Sequence, residues 1–300
     1  MVSTRTTTTW RTTLDYLNWL LNPRHGRDVT QVYDLLSSRS PTERALYLNL
    51  GYWEAARTLD EACDALAALV ADTAEMGPGD RVLDVGFGFA DQDLFWSRVY
   101  EPRQIIGLNV TASQVALARR RVEEAGLDER IDLRVGSATE MPLQDNSIDK
   151  VVALECAFHF DTREDFFAEA FRVLRPGGRL VVADILPMPP AERPMRRLMQ
   201  RWGWRQAAGK FLIPEANAYT CDAYLSKLGA SGFVDARVAS IREQVYVPLH
   251  RYLARHPEAI HRLHPMLRLA VRVALRVDPE AVFSGLDYVL ASAEKPLGAG

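Results

Sequence analysis

The stretch Arg81–Phe95, RVLDVGFGFADQDLF, decides how this chain is read. An apolar run ends in an aspartate, two glycines stand one residue apart, and a polar turn follows. The run has the length and branching of a strand, and the glycines mark a loop where backbone approaches a ligand closely. A nucleotide phosphate and a dinucleotide pyrophosphate are candidates for that ligand, and both meet obstacles. A phosphate-binding loop needs Lys-Ser/Thr after its glycines, and here the chain continues FADQD. The dinucleotide fingerprint needs glycine at position 91, where Asp91 stands. Asp84, two residues before Gly86, and Asp91 beyond it would repel a pyrophosphate. The same carboxylates suit a ligand that carries an ammonium and a sulfonium. A nicotinamide oxidoreductase is disfavoured on this ground.

Outward from this loop, short β-branched runs alternate with helical patterns, the rhythm of a parallel sheet wrapped in helices. The strand candidates are 81–85, 104–110, 131–137, 150–156 and 179–185, followed by 235–247 and 286–294. TASQ, Thr111–Gln114, reads as a capping box, and Gly126 closes the helix that it opens. In DTREDFFAEAFRVLRPGG the apolar stripe of Phe166, Phe167, Ala170, Phe171 and Leu174 marks a helix ended by Pro176-Gly177-Gly178. Residues 1–75 look mostly helical, interrupted by ALYLNLGYWE at 45–54. A long insertion at 187–220 follows the fifth strand, and its tryptophans and methionines predict an ordered lid.

The totals set outer bounds. Three hundred residues, 48% hydrophobic and 25% charged, are ordinary for a globular protein, and a net charge of −3 argues against nucleic acid as partner. Cys63, Cys156 and Cys221 are odd in number and far apart, with no zinc spacing and no disulfide framework, so a reducing cytoplasm is expected. No run approaches the roughly 18 apolar residues of a membrane helix. The Thr/Arg-rich opening, MVSTRTTTTWRTT, is read as a frayed terminus.

The order VLDVGFG, GLNVTASQ, GSATEMP, LECAFHFD, VLRPGGRLVVADI over Arg81–Ile185 resembles the class I S-adenosylmethionine-dependent methyltransferases. YLNLGYWE ahead of the first strand looks like the subgroup that acts on small molecules. DVGFGFADQDLFW and LECAFHFDTREDFF look most like the O-methyltransferases that finish macrolides and related polyketide or peptide metabolites. The resemblance implies a Rossmann-like α/β fold: a seven-stranded, mostly parallel sheet with helices on both faces. It implies an N-terminal helical cap at 1–75 and a methyltransferase domain at 76–300, with the lid inserted at about 187–220. The cofactor would be S-adenosyl-L-methionine, leaving S-adenosyl-L-homocysteine, and no metal is implied.

Carried onto these residues, Asp84, Gly86 and Gly88 would let the cofactor's methionine portion approach the backbone. Ala90 replaces the family's third glycine. Asn109 stands where an acid usually clamps the ribose, and Gln114 would supplement it. Ser137, beside Ala138, replaces the adenine-side aspartate, and Leu154 is counted on the cofactor side. Tyr52 and Trp53 would cover the sulfonium by cation–π attraction, or simply pack the cap. For a hydroxyl acceptor, His159 is expected as general base with Asp184 orienting its imidazole. A carbon or nitrogen acceptor remains a rival, with Glu155 as the base. So does a scaffold or cyclase that keeps the cofactor without transferring methyl.

Trp202, Trp204 and Phe211 would line the pocket of a large apolar acceptor. Arg193, Arg196, Arg197, Arg201 and Arg205 read as a solvated helix face, with an acidic carrier protein or a phosphorylated substrate as the sharper alternative. Cys156 reads as a buried filler. His250, His256, His261 and His264 read as a solvated face and not a metal site. A homo-oligomer is compatible with all of this.

Overall fold

A computed structural model describes residues 10–22, 26–36 and 42–298. Residues 1–9 of the expected frayed terminus lie outside the described residues; Trp10 already belongs to the first helix. The chain opens with α1 (Trp10–Leu21), α2 (Val29–Leu36) and α3 (Leu59–Ala74). The alternating part follows as β1 (Arg81–Val85), α4 (Asp91–Val99), β2 (Gln104–Asn109), α5 (Ala112–Glu124), β3 (Ile131–Val135), β4 (Ile148–Leu154), α6 (Arg163–Val173) and β5 (Leu174–Pro187). The rest is α7 (Pro194–Phe211), α8 (Cys221–Ala230), β6 (Val234–Ser240), α9 (Arg242–Arg255), α10 (Pro257–His261), α11 (Pro265–Ala274), α12 (Pro279–Val282) and β7 (Leu286–Glu294).

The strands form one sheet of seven in the order β3-β2-β1-β4-β5-β7-β6, with β7 antiparallel to both neighbours. Period-two alternation feeds two cores. Leu83, Ile106, Val151 and Val182 face one side with Phe166 and Phe167, and Val82, Ile105, Val152 and Val181 face the other with α3 and Trp96. The strand order reverses between β1 and β4, and a crevice opens at that switch point beyond the strands' carboxyl ends. The expected fold is present.

Three local expectations change. The strand expected over 235–247 stops at Ser240, and Arg242 starts a helix that buries Val245, Tyr246 and Leu249. That spacing of one and four is helical, and an alternating reading of the same apolar residues missed it. Thr111 is the N-cap of α5 but makes no side-chain cap bond, because Gln114 is engaged elsewhere. The helix before Pro176 ends at Val173, and Leu174 already pairs with Ile148 as strand.

Candidate active site

The crevice is a cavity of about 260 Å³. Its floor is the loop after β1, its sides are the ends of β2, β3 and β4, and Leu46–Asn49 close it from above. Gly86 has φ +74°, and a Cβ there would lie 2.5 Å from that of Cys156, so only glycine fits. Gly88, at φ +58°, lies under Leu48. Ala90 keeps the left-handed backbone of the glycine it replaces, at φ 64°, which costs about 1 kcal/mol. Cys156 donates its thiol to the Val85 carbonyl at 2.9 Å and is buried, as a filler would be.

Asp84, expected at the cofactor, does not line the cavity but lies buried behind the glycine loop. Asp84 is completely buried and accepts from the Gln92 amide at 3.0 Å. Burial, and then the Asp93 carboxylate on α4, push its pKa well above the ordinary carboxylate range. Asp93 is pushed up to about 7, chiefly by its own burial. The two therefore hold a proton between them near neutrality. Asp91 lies on the cavity wall and is gripped through both oxygens by Arg121 at 2.6 and 2.7 Å.

Asn109, Gln114, Ser137, Ala138 and Leu154 all line the same cavity. Asn109 donates to the Gln114 side-chain oxygen at 2.9 Å and accepts from Thr111 N–H at 3.2 Å. That leaves the Gln114 Nε2 donor buried with no partner among the described residues. Asn49 Nδ2 is a second such donor, while Asn49 Oδ1 takes the Gly51 N–H at 3.0 Å. A buried donor without an acceptor costs about 1–3 kcal/mol, so both are built for an acceptor that a ligand brings. A ribose and an amino-acid carboxylate supply such acceptors, and the glycine cradle admits a chain between them. These residues fit S-adenosylmethionine.

Tyr52 and Trp53 do not cover this cavity. The Trp53 ring packs on Tyr252 at 4.8 Å and its indole donates to the Leu50 carbonyl, while the Tyr52 hydroxyl donates to Glu54. The turn at Gly51 sends both rings away, and Tyr47, Leu48 and Asn49 take their place. An Asn two residues before Gly is a turn signal that could have pointed to Asn49.

Opposite the glycine loop, Glu155 and His159 lie on the cavity wall. Glu155 stands at φ 54° and accepts from Leu50 N–H at 2.6 Å and from the Tyr288 hydroxyl at 2.7 Å. Burial raises its pKa to about 7 against these two bonds. His159 is pushed down to about 3, first by burial and then by the Arg163 charge, while a bond to the Phe211 carbonyl pulls the other way.

Asp184 is not the orienter of His159. It is wholly buried, and Arg163, itself wholly buried, binds it at 2.8 Å. Ile185 N–H and the Tyr224 hydroxyl fill its remaining positions. The strand turns this carboxylate beneath the rim, where only a cation compensates its burial. Arg163 also reaches the Asn217 carbonyl, and its own N–H donates to Asn217 Oδ1 at 3.1 Å. The Asn217 amide in turn donates to the carbonyls of Phe158 and Phe160, at 3.2 and 2.7 Å. Those two residues flank His159, so this network holds the histidine's backbone from below.

The expected acceptor-lining residues are elsewhere. Trp202 is 66% exposed, Trp204 is half-buried outside the cavity, and the Phe211 ring packs edge-on to Trp19 at 6.0 Å. Only the Phe211 backbone reaches the site. Among the described residues no group of three His, Cys, Asp or Glu side chains could hold a metal, and no helix is long and apolar enough to cross a membrane.

A methyltransferase domain family matches residues 83–182. The chain is 34% identical to the erythromycin 3''-O-methyltransferase of Saccharopolyspora erythraea, over 94% of this chain and 95% of that one. It is 35% identical to the 27-O-demethylrifamycin SV methyltransferase of Amycolatopsis mediterranei over 47% of this chain and 52% of that one. Among solved structures it is similar to the [4+2]-cyclase SpnF, with a TM-score of 0.65 and 26% identity over 96% of this chain and 97% of that one.

Proposed function

The chain belongs to the S-adenosylmethionine-dependent O-methyltransferases of secondary metabolism, and we propose that it methylates a hydroxyl of a macrolide-like polyketide or its sugar with His159 as the proton acceptor. The observation that carries the proposal is the pairing, across one cavity, of a glycine cradle that fits the cofactor with an uncharged imidazole. S-adenosylmethionine, when bound, supplies an electrophilic methyl carbon on a good leaving group. Gly86, Gly88, Asn49, Asn109, Gln114, Ser137, Ala138 and Leu154 would hold it.

The remaining work belongs to the wall opposite. An aliphatic hydroxyl is a poor nucleophile until its proton has somewhere to go. His159 is neutral above about pH 3 and is therefore in its accepting form throughout the physiological range. Its bond to the Phe211 carbonyl takes the ring N–H, which places the accepting lone pair on the other nitrogen. A base tuned near the working pH contributes on the order of 10²–10⁴-fold, and burial makes this imidazole a weaker base than a free one, so its share lies at the low end of that range. The Arg163–Asn217 network holds the loop that carries it, and alignment of acceptor and histidine supplies a further part of the rate. The same reading makes S-adenosylhomocysteine the by-product, the acceptor large and apolar, and the cytoplasm the compartment.

The test is incubation with trideuteromethyl cofactor and a panel of macrolide and polyketide alcohols, read by mass spectrometry. Label lost as methanol from an alcohol, with turnover down roughly 10²-fold or more in His159→Ala and cofactor affinity kept, supports the proposal. Loss in Glu155→Gln with His159→Ala unaffected, and label on carbon, would replace it with carbon methylation. The likeness to a cyclase favours one further reading: a bound cofactor with no label moved on any alcohol would make the chain a scaffold.

A further inference from the structure

A helix at a protein surface turns its apolar stripe inward and its charges outward. The helix α7 does the reverse. Met195, Leu198, Met199 and Trp202 follow the spacing i, i+3, i+4, i+7 and make one stripe, yet they are 45–71% exposed. The side that meets the protein is polar and small: Gln200 accepts from Ala191 N–H at 2.8 Å, and Gly203 lies against Gly285. Beside the stripe runs a row of arginines four residues apart, Arg193, Arg197, Arg201 and Arg205, all exposed. Among the described residues none of the four forms an ion pair.

The pattern occurs twice. From α11 onward, Leu269, Val273 and Val277 are 46–60% exposed at steps of four, and Arg268, Arg272 and Arg276 form the neighbouring row. Neither 193–214 nor 259–277 contains an acidic residue, although the whole chain carries a net charge of −3. Both helices border one small core, where Phe211, Leu212, Met266 and Leu267 pack against Tyr16, Trp19, Val32 and Leu35.

We propose that the exposed faces of α7 and α11 bind an anionic membrane surface. Stripes of Met, Leu, Val and Trp suit the boundary of headgroup and acyl chain, and arginines beside them suit anionic headgroups. Each helix is convex and offers no groove, which suits a planar bilayer better than a folded protein. A second copy of this chain would bring arginine row against arginine row, with no acidic row on either helix to answer it. The arrangement also has a use. The far end of α7 is Phe211, whose carbonyl bonds His159, so a bilayer under α7 lies at the approach to the cavity. Large apolar acceptors concentrate in such a layer. The binding itself does not depend on which acceptor is methylated.

The experiment is co-sedimentation of the full chain with vesicles of phosphatidylcholine alone or with about one-third phosphatidylglycerol, at low and high salt. Binding is expected on the anionic vesicles only and is expected to weaken with salt. Each arginine near such a surface contributes roughly a factor of five, so Arg197→Gln/Arg201→Gln/Arg205→Gln should lower the partition coefficient on the order of 10²-fold. Met195→Ser/Leu198→Ser/Trp202→Ser should abolish binding while cofactor affinity stays unchanged, which shows the variant folded. Absence of binding at low salt overturns the proposal, as does binding by either variant equal to that of the parent chain. A change in sedimentation coefficient of the lipid-free protein with the serine variant assigns the face to a second copy instead. Capture of an acidic protein by the unmodified chain, with no vesicle binding, assigns it to a protein partner.

Discussion

Buried polar groups lie in and behind both walls of the cavity, but they are satisfied differently. On the β4–β5 side, Arg163, Asp184, Asn217 and Glu155 satisfy one another and the backbone around them. On the β1–β2 side, Gln114 Nε2 and Asn49 Nδ2 have no partner among the described residues, and two aspartates face each other at Asp84 and Asp93. The first wall is complete as folded and fixes geometry. The second is incomplete, with two donors left open to an acceptor that the described residues do not supply. Polar satisfaction thus separates scaffold from binding surface where burial alone does not.

The largest test of this contrast is Asp184→Ala. It strands a wholly buried guanidinium, and the expected loss is about 3–5 kcal/mol in urea unfolding. Replacing Arg163 and Asp184 together by Met and Leu should recover most of that loss while still slowing turnover, because Asn217 then loses the groups that hold it. If Asp184→Ala is no less stable than the parent chain, the complete wall is not what holds the loop. Next comes Gly86→Ala, which drives a Cβ into Cys156 at a left-handed backbone; a loss of roughly 2–3 kcal/mol is expected from overpacking and strain.

On the incomplete wall the effects move from stability to affinity. Gln114→Leu removes one unpartnered donor but also the acceptor of Asn109 Nδ2, so the two effects offset and stability should change by less than about 1 kcal/mol. The affinity for S-adenosylhomocysteine should fall about 10-fold by calorimetry, the worth of one hydrogen bond. A stability loss without an affinity loss would reverse the contrast between the walls.

The smallest effect is pH-dependent. Asp93 holds its proton up to about pH 7 in the folded chain and only to its ordinary value when unfolded. Folding therefore retains a proton through that window. The stability is complete below the ordinary carboxylate range and falls as pH rises through 7. Asp93→Asn removes the fall and gives Asp84 a donor, so its melting temperature should exceed the parent's by about 2–4 °C at pH 8 and match it at pH 4. A constant difference across pH would show that ionisation of Asp93 is not the cause.

How much was readable follows the range of the interactions. The glycine loop, Asn109, Gln114, Ser137 and His159 stand at strand ends, and alternating patterns place strand ends locally. Asp184 was placed correctly on its strand but given the wrong partner, because Arg163 lies 21 residues away at a helix start where an arginine reads as solvated. Asn217 had no local signal at all. Tyr52 and Trp53 were displaced by the turn at Gly51, which is held by a bond from Tyr52 N–H to the Ala62 carbonyl, made only once α3 has docked. The arginines of α7 were legible as one solvated face, and Trp202 was expected to point into the site. The direction of its ring was not legible, since periodicity shows which residues share a face and is silent on whether that face looks in or out.

Asn217 also limits how the insertion can be exchanged. It closes the insertion after β5, yet its amide bonds belong to the loop around His159, as does the Phe211 carbonyl. The insertion therefore has two parts: Phe211 and Asn217 supply these braces, and residues 188–209 supply neither of them. A chimera joined after Gly209 keeps its chemistry, and one joined after Asn217 brings in a foreign brace and loses it.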